Sequence, residues 1–203
     1  TDSQGDTLIF TYPSELPTRP IPDAVYEDVD WIVLTPSFGP LQENALQHFR
    51  PDRHALGVVG LAHPALVEHL GQVDLLSINA VEAERLRKYA GFQSSQDLAK
   101  SLAGALIITE AERGCSIYDR GGKVTQLAAI PPEKYVDPTG AGDAFAAAVI
   151  ASLERGYSAV EAARVGTVAA SYVVEAIGCQ TNNPSWKEIN KRLNESDIVI
   201  ERG

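Results

Sequence analysis

The residues between Pro138 and Asp143 combine glycines with a carboxylate in a pattern that could hold a phosphate beside a base. Pro138 ends an extended segment, and Gly140 and Gly142 remove side chains from a tight turn before an Ala-rich helix predicted over about 144–154. Amides at a helix start lack intrahelical partners and lie at the positive end of the helix dipole. Such a turn binds anions, and glycine permits close approach of a phosphate. Since Asp143 adds a carboxylate there, we predict that it acts as a general base.

Other interpretations of these residues have to be weighed. Asp143 could serve only to stabilise the first turn of its helix, and the glycines could serve only to form the turn. A dinucleotide-binding turn is disfavoured because Phe145 occupies the place of the third glycine. The segment 121–123 reads Gly-Gly-Lys but lacks the spacing and the Ser or Thr of a P-loop. A phosphate-transfer enzyme would therefore have to use the turn before Asp143.

The stretch 137–145 reads D-P-T-G-A-G-D-A-F. It closely resembles the signature D-T-x-G-A-G-D-x-F of the ribokinase-like carbohydrate kinases, the phosphofructokinase-B family. In that family the last acid is the catalytic base, which corresponds to Asp143. The turn formed here by Gly140, Ala141 and Gly142 would be the anion hole for the transferred phosphoryl group. The resemblance implies an enzyme that uses ATP and magnesium to phosphorylate a hydroxyl group of a sugar, polyol or nucleoside.

Asn79 and Glu82 lie where a predicted strand, 74–78, passes into a predicted helix, 80–89. Ligands of parallel α/β sheets bind at the carboxyl ends of the strands. The pair resembles the N-x-x-E motif of the family, which positions magnesium through water together with the nucleotide phosphates. Glu82 would be the oxygen ligand that a hydrated cation prefers. The same spacing is also typical of a capping box, and this alternative stays open.

The segment 109–114 resembles the T-x-G-x-x-G turn that lies beside the nucleotide in the family. Thr109 can offer a hydroxyl group to a phosphate, and Gly114 occupies the second glycine place. Ala111 replaces the first glycine, which puts a close backbone approach in question at that position. A β-turn with Gly114 at positive φ is the simpler alternative.

Further positions match the family less specifically. The helix 164–175 resembles the one that walls the adenine pocket, with Gly166 and Thr167 where many members carry Ala-Asn. Gly178 resembles a following glycine turn, whose carbonyls together with Asp137 often enclose a monovalent cation such as K⁺. A helix-terminating glycine at Gly178 and an Asx turn at Asp137 are the simpler alternatives.

The alternation of apolar strands with helical patterns predicts an α/β fold with a mainly parallel sheet. The resemblance implies the ribokinase-like form of this fold, with three α/β/α layers. Ser158 and Ser185 each begin a predicted capping box. The remaining predicted elements are strands at 7–12, 31–34, 55–59 and 105–109, helices at 40–49, 64–70, 95–102 and 158–176, and a hairpin at 115–128.

Composition limits the function further. The 203 residues are 44% hydrophobic and 22% charged, which fits one globular domain with a sizeable core. The net charge of −10 argues against a nucleic-acid or membrane partner, either of which would require a basic face. Cys115 and Cys179 fit reduced thiols, so we expect a cytoplasmic protein. The resemblance adds the expectation of a homodimer, because relatives often dimerise.

The resemblance extends from about Leu8 to the C-terminus and corresponds to the later two-thirds of a family member. It implies a single domain, 1–203, in which 13–203 form the nucleotide-binding and catalytic core and 1–12 are a remnant of the lid. The early Gly-Gly sugar-binding motif has no counterpart here. The chain begins at Thr1 and contains no methionine, so we expect a fragment or a processed form of a longer protein.

A second hypothesis is a non-catalytic member of the same fold that binds nucleotides as a sensor or scaffold. Reduction of the substrate-binding half would favour it. Retention of Asp143, Glu82 and Asn79 favours catalysis, because a scaffold has no use for a carboxylate beside an anion site.

Overall fold

The protein is described by a computed structural model that covers residues 21–36, 39–196 and 200–202; the strand and lid remnant predicted within 1–12 lie outside them. The strands form a seven-stranded sheet in which their spatial order equals their chain order. The strands are β1 (Trp31–Leu34), β2 (Ala55–Val59), β3 (Leu75–Asn79), β4 (Ala105–Thr109), β5 (Cys115–Tyr118), β6 (Val124–Leu127) and β7 (Ile200–Arg202).

The sheet has a parallel part and an antiparallel part. Strands β1 to β4 run parallel, and the near-continuous apolar sequences of β2, β3 and β4 are those of strands buried on both faces. Strands β5, β6 and β7 extend the sheet in antiparallel pairing, as the predicted hairpin requires. Asn79 and Thr109 are register partners at the carboxyl ends of β3 and β4. The two predicted nucleotide-binding segments therefore begin side by side at one edge.

Helices cover both faces of the sheet. They are α1 (Pro40–His48), α2 (Ala80–Ala90), α3 (Ser95–Lys100), α4 (Ala141–Leu153), α5 (Ala159–Val173) and α6 (Trp186–Glu195), with 3₁₀ helices at Asp23–Tyr26, Pro64–Gln72 and Ala111–Arg113. The capping boxes predicted at Asn79, Ser158 and Ser185 are confirmed. The short helix predicted from Pro64 is present as a 3₁₀ helix, with i→i−3 bonds at its ends such as Val73 N–H to Leu70 O at 3.0 Å.

Alternate residues of each strand point into two separate cores. Leu76 and Ile78 pack with residues of α1, α2, α3 and the 3₁₀ helix after β2. Leu75 and Ile107 face the other way and pack with α4 and α5. Helix α6 packs on the outside of α5, where Ile189 is buried. The predicted three-layer α/β/α fold is thus confirmed, whereas the division into lid remnant and core stays a prediction.

The direction of α4 follows from one contact at its end. The Trp31 indole, at the start of β1, donates a hydrogen bond to the carboxylate of Glu154, which follows α4. A helix of this length spans about 20 Å, so its first residue lies towards the opposite, carboxyl edge of the parallel strands. The predicted anion turn and the segment from Asn79 therefore share one edge of the sheet. Within the described ranges, no helix is long and apolar enough to cross a membrane.

Candidate active site

Helix α4 begins earlier than the sequence predicts. It starts at Ala141 rather than Ala144, so Gly142 and Asp143 lie inside its first turn. The capping residue is Gly140, with φ of 85°, a left-handed conformation that favours glycine. A Cβ atom at this position would lie 2.3 Å from Cβ of Cys179. Gly140 is thus required by both its backbone conformation and the close approach of the next loop.

The first turn of α4 leaves backbone donors free. The Ala144 amide donates to the Gly140 carbonyl at 2.9 Å, which is the first helical bond. The Ala141 amide donates to the Pro138 carbonyl at 3.1 Å, and a contact of Ala141 with an anion stays a prediction. Within the described residues, no protein group accepts from the amides of Gly140, Gly142 or Asp143, and no side chain caps the helix. Three amides are available for an anion.

Gly142 has no packing reason to be a glycine. It is exposed, and a Cβ atom built on it would meet nothing within 4 Å among the described residues. Alanine would be more favourable in a helix by about 1 kcal/mol. The missing side chain therefore leaves open space beside the free amides, which is the space that a phosphate group needs.

The carboxylate of Asp143 is exposed and unengaged. Among the described residues, no hydrogen bond or ion pair involves its side chain, so it does not serve to cap its own helix. It lies at a groove of about 380 Å³ along the outer, Ala-rich face of α4. The groove is also lined by Cys179, Gln180, Asn183, Pro184 and Trp186. A carboxylate in this position is free to accept a proton from a bound hydroxyl group.

Asp137 connects the anion turn to the loop after α5. Its Oδ1 atom accepts from the Thr139 amide at 3.0 Å, and its Oδ2 atom accepts from the Gly178 amide at 3.1 Å. Hydrogen bonds from the Thr139 side chain and amide, and then from Gly178, lower the pKa of Asp137 below its ordinary value. The Asx-turn alternative is therefore realised. Gly178, at φ of 93°, does not end a helix, and a monovalent cation at Asp137 stays a prediction.

Asn79 and Glu82 form the capping box of α2. The Asn79 Oδ1 atom accepts from the Glu82 amide at 2.8 Å, and the Glu82 Oε2 atom accepts from the Asn79 amide at 2.9 Å. The alternative that these residues form a capping box is therefore confirmed, and it occupies these two oxygen atoms. The Oε1 atom of Glu82 has no hydrogen bond in the described part of the chain, so a magnesium role for this pair stays a prediction.

In the turn after β4, Ala111 adopts a left-handed backbone conformation that is usually found at glycine. Ala111 has φ of 51°, the left-handed region, at a cost of about 1–2 kcal/mol. Gly114 has φ of 93°, and a Cβ there would lie 2.0 Å from the Leu127 carbonyl oxygen. The alternative of a turn with Gly114 at positive φ is thus confirmed. Thr109 is half-buried at the end of β4, and contacts of Thr109, Ala111 and Gly114 with a nucleotide stay predictions.

The thiol of Cys115 lies directly after this turn and is buried. Burial in the apolar core, followed by the negative charge of Glu110, raises the pKa of Cys115 to about 12. Cys179, by contrast, is exposed. The two cysteines therefore have different reactivities, because the thiolate is the nucleophilic form.

Gly166 and Thr167 are buried residues of α5. A Cβ on Gly166 would lie 2.8 Å from the Phe145 ring and 3.0 Å from Val149. The Thr167 hydroxyl group donates to the Arg164 carbonyl at 2.8 Å, and only 6% of the residue is exposed. The structure thus gives Gly166 a packing role between α4 and α5 and buries Thr167 on α5, and the contact of both residues with adenine stays a prediction.

Sequence reasoning missed the residues that support the turn from behind. Cys179 packs against Gly140, and Glu175 and Arg192 form a buried ion pair at 2.8 Å next to the segment that leads into the turn. No local spacing signals these contacts, because each joins residues far apart in the chain. Only the glycine at position 140 hinted that another segment approaches there.

Comparisons with known proteins identify relatives of this chain. The family model described as pfkB family carbohydrate kinase matches residues 41–186. The nucleoside kinase of Methanocaldococcus jannaschii is 35% identical over 133 residues, which are 66% of this chain and 43% of that protein.

Solved structures share the fold. The crystal structure of the same M. jannaschii nucleoside kinase, described as an archaeal member of the ribokinase family, superposes with a TM-score of 0.74 at 24% identity. This match covers 86% of the present chain and 61% of that one. The structure of Arabidopsis thaliana ribokinase complexed with ribose and ATP superposes with a TM-score of 0.67 at 26% identity. This match covers 86% of the present chain and 59% of the ribokinase chain. The chain therefore spans between 43% and 61% of these relatives.

Proposed function

This chain belongs to the pfkB family of carbohydrate kinases, and on that premise we propose that the protein transfers the γ-phosphoryl group of ATP to a hydroxyl group of a sugar, polyol or nucleoside. The observation that carries the proposal is the start of α4. Among the described residues, the amides of Gly140, Gly142 and Asp143 and the Asp143 carboxylate have no partner, and the open space at Gly142 leaves room for a phosphate.

The residues of the turn would act by position and charge. The free amides donate to the oxygen atoms of the transferred group, where negative charge accumulates, and the positive end of the α4 dipole adds to this effect. Asp143 accepts the proton of the attacking hydroxyl group. Phosphoryl transfer requires mainly positioning and electrostatic stabilisation, so an exposed carboxylate that is correctly placed suffices as the base.

The second half of the proposed site is the α2 start. Asn79 and Glu82 would hold a magnesium ion through water, with the Glu82 Oε1 atom as the available carboxylate oxygen. The ion, when bound, neutralises charge on the transferred phosphates. Thr109 is the register partner of Asn79, so its hydroxyl group lies at the same edge for a phosphate contact. A K⁺ ion at Asp137, a homodimer and a cytoplasmic location belong to the same proposal.

The substrate class rests on the relatives. One is named a nucleoside kinase, and another was solved with ribose and ATP. A nucleotide-binding sensor remains the second candidate, because the amides at the start of α4 could hold a nucleotide phosphate without any transfer.

Substitution of Asp143 by Asn tests the proposal. Release of ADP is measured with Mg-ATP and a panel of sugars, polyols and nucleosides, and ATP affinity is measured by calorimetry. We expect turnover to fall by roughly 10²–10⁴-fold, the usual contribution of a general base, while ATP affinity changes little.

Near-normal turnover of Asp143→Asn with any acceptor would exclude the base assignment. If the unmodified protein binds Mg-ATP but turns over no acceptor, the sensor hypothesis is favoured. If it binds neither ATP nor ADP, both hypotheses fail.

A further inference from the structure

A buried ion pair lies behind the segment that leads into the anion turn. Arg192 on α6 contacts Glu175, which follows α5, with Nη1–Oε1 at 2.8 Å and Nη2–Oε2 at 3.3 Å. Only 12% and 8% of these side chains are exposed. The guanidinium also donates to the Ser171 hydroxyl at 2.8 Å and stacks over the Tyr172 ring at 3.5 Å. The position of Arg192 is therefore fixed from several sides.

Glu175, held in place by Arg192, also binds the loop between β6 and α4. Its Oε1 atom also accepts from the Glu133 amide at 2.9 Å. The neighbouring Val174 carbonyl accepts from the amides of Val136 at 2.8 Å and Asp137 at 3.1 Å. The loop forms no helix or strand, so these bonds, rather than the regular hydrogen bonds of a helix or sheet, hold its backbone in place.

Asp137 links this loop to the anion turn. Through its bonds to Thr139 and Gly178 it joins the loop to the segment that packs against Gly140. A continuous series of contacts thus runs from α6 to the free amides at the start of α4.

We propose that Arg192 and Glu175 are positioning residues of the kinase, which set the place of the anion turn through the loop 131–137. The proposal rests on the proposed function. A buried ion pair is weak grounds for net stability, since apolar residues often replace such a pair without loss. Here the carboxylate has a second task, because it holds the Glu133 amide while Arg192 orients it.

The test separates the loop bond from the ion pair. Glu175→Gln keeps an oxygen for the Glu133 amide and removes the charge, whereas Glu175→Ala removes both. Arg192→Met removes the orienting group. The control is Lys191→Met on the same helix, which breaks only an exposed contact to Glu195 of 3.9 Å.

Turnover, KM values and the unfolding midpoint are measured well below that midpoint, at about 20 °C. Misplacement of a reacting group by about 1 Å costs on the order of 10²-fold. We therefore expect Glu175→Ala and Arg192→Met to lower kcat by roughly 10- to 100-fold with smaller changes in KM for ATP. Glu175→Gln should retain kcat within about threefold of the parent, since it keeps the loop bond. Lys191→Met should behave like the parent protein.

Hydrogen exchange of the amides at 133–143 gives a readout independent of turnover. We expect faster exchange there in Glu175→Ala and Arg192→Met but not in Lys191→Met. Unchanged exchange, or an unchanged kcat in folded variants with lowered midpoints, would reduce the pair to a purely stabilising role. If the parent protein has no kinase activity, the proposed function fails, and the exchange data alone still decide whether the pair fixes the turn.

Discussion

Two helices begin at the same edge of the sheet, and their first turns are completed in opposite ways. At α2, Asn79 and Glu82 exchange side-chain bonds with the backbone, so two of the amides at this helix start are satisfied within the capping box. At α4, Gly140 offers no side chain, and the amides of Gly140, Gly142 and Asp143 have no acceptor among the described residues. A capped start serves stability, whereas an open start retains binding capacity.

The difference has a thermodynamic meaning. A side-chain cap contributes roughly a few tenths of a kcal/mol more than glycine, which α4 forgoes by starting with Gly140. Functional sites are where local rules of stability are expected to fail. The rigid support for the open start comes from elsewhere, from Cys179 and from the bonds of Asp137.

The largest effect should come from closing the open start. Gly140→Ala places a Cβ against Cys179 and forces a left-handed conformation on alanine. We expect a loss of unfolding free energy of roughly 2–4 kcal/mol and loss of nearly all turnover. Chemical denaturation and the ADP-release assay check this. A fully active variant of unchanged stability would show that the turn can relax away from Cys179.

Gly142→Ala sharpens the comparison, because it fills the open space without a clash. Unfolding free energy should stay equal or rise by up to about 1 kcal/mol, since alanine favours a helix. Affinity for ATP should nevertheless fall by roughly tenfold, as the methyl group removes space and a hydrogen bond of this kind is worth about 1.5 kcal/mol. Calorimetric titration with ATP gives the affinity, and unaltered binding would place the phosphate elsewhere.

Asn79→Ala probes the capped start. Removal of the cap should cost about 1 kcal/mol of unfolding free energy without nucleotide, and the cost should be larger with Mg-ATP because Asn79 is proposed to help hold the magnesium. Denaturant unfolding in both conditions measures the cost. Stability equal to that of the parent protein would mean that the capping hydrogen bonds are no more favourable than hydrogen bonds from the same amides to water.

Glu82→Gln separates capping from magnesium at the same helix start. Glutamine also functions at this position of a capping box, so stability should change by less than about 0.5 kcal/mol. The magnesium concentration for half-maximal turnover should rise several-fold, because the charged oxygen ligand is lost. A magnesium requirement that does not move would leave Glu82 with capping alone.

The smallest effect concerns acid stability. Because the folded-state pKa of Asp137 is lowered, its contribution is fully present above the unfolded value of about 3.9 and is lost as pH falls below it. Asp137→Asn should therefore be less stable than the parent at pH 7, with the difference shrinking towards pH 3. Unfolding curves at both pH values test this, and a difference that grows in acid would contradict it.

Much of the architecture follows from local sequence patterns. Strands β1 to β4 are predictable from their apolar runs, and the hairpin of β5 and β6 from its turn residues. The capping boxes are predictable because each depends on two residues three positions apart, beginning at Asn79, Ser158 and Ser185. The glycine turn and the exposed Asp143 are also predictable from local sequence. The earlier start of α4 is not, because glycine at position 142 reads as a helix breaker although the first turn tolerates it.

Long-range contacts account for the other differences. The need for glycine at position 166 is one of them, because Phe145 and Val149, distant in the chain, occupy the space where a side chain would lie. The Arg192–Glu175 pair and the Cys179 contact join distant segments, so no spacing reveals them. Side chains that support a site from behind are thus harder to predict than those that face the ligand.

The two cysteines have a practical consequence. Cys115 is buried with a raised pKa, whereas the exposed Cys179 lies against the anion turn, and the sequence contains no other cysteine. A maleimide dye applied to the native chain would therefore attach at one known place without any engineering. Its fluorescence would report directly on whether a nucleotide occupies the neighbouring turn.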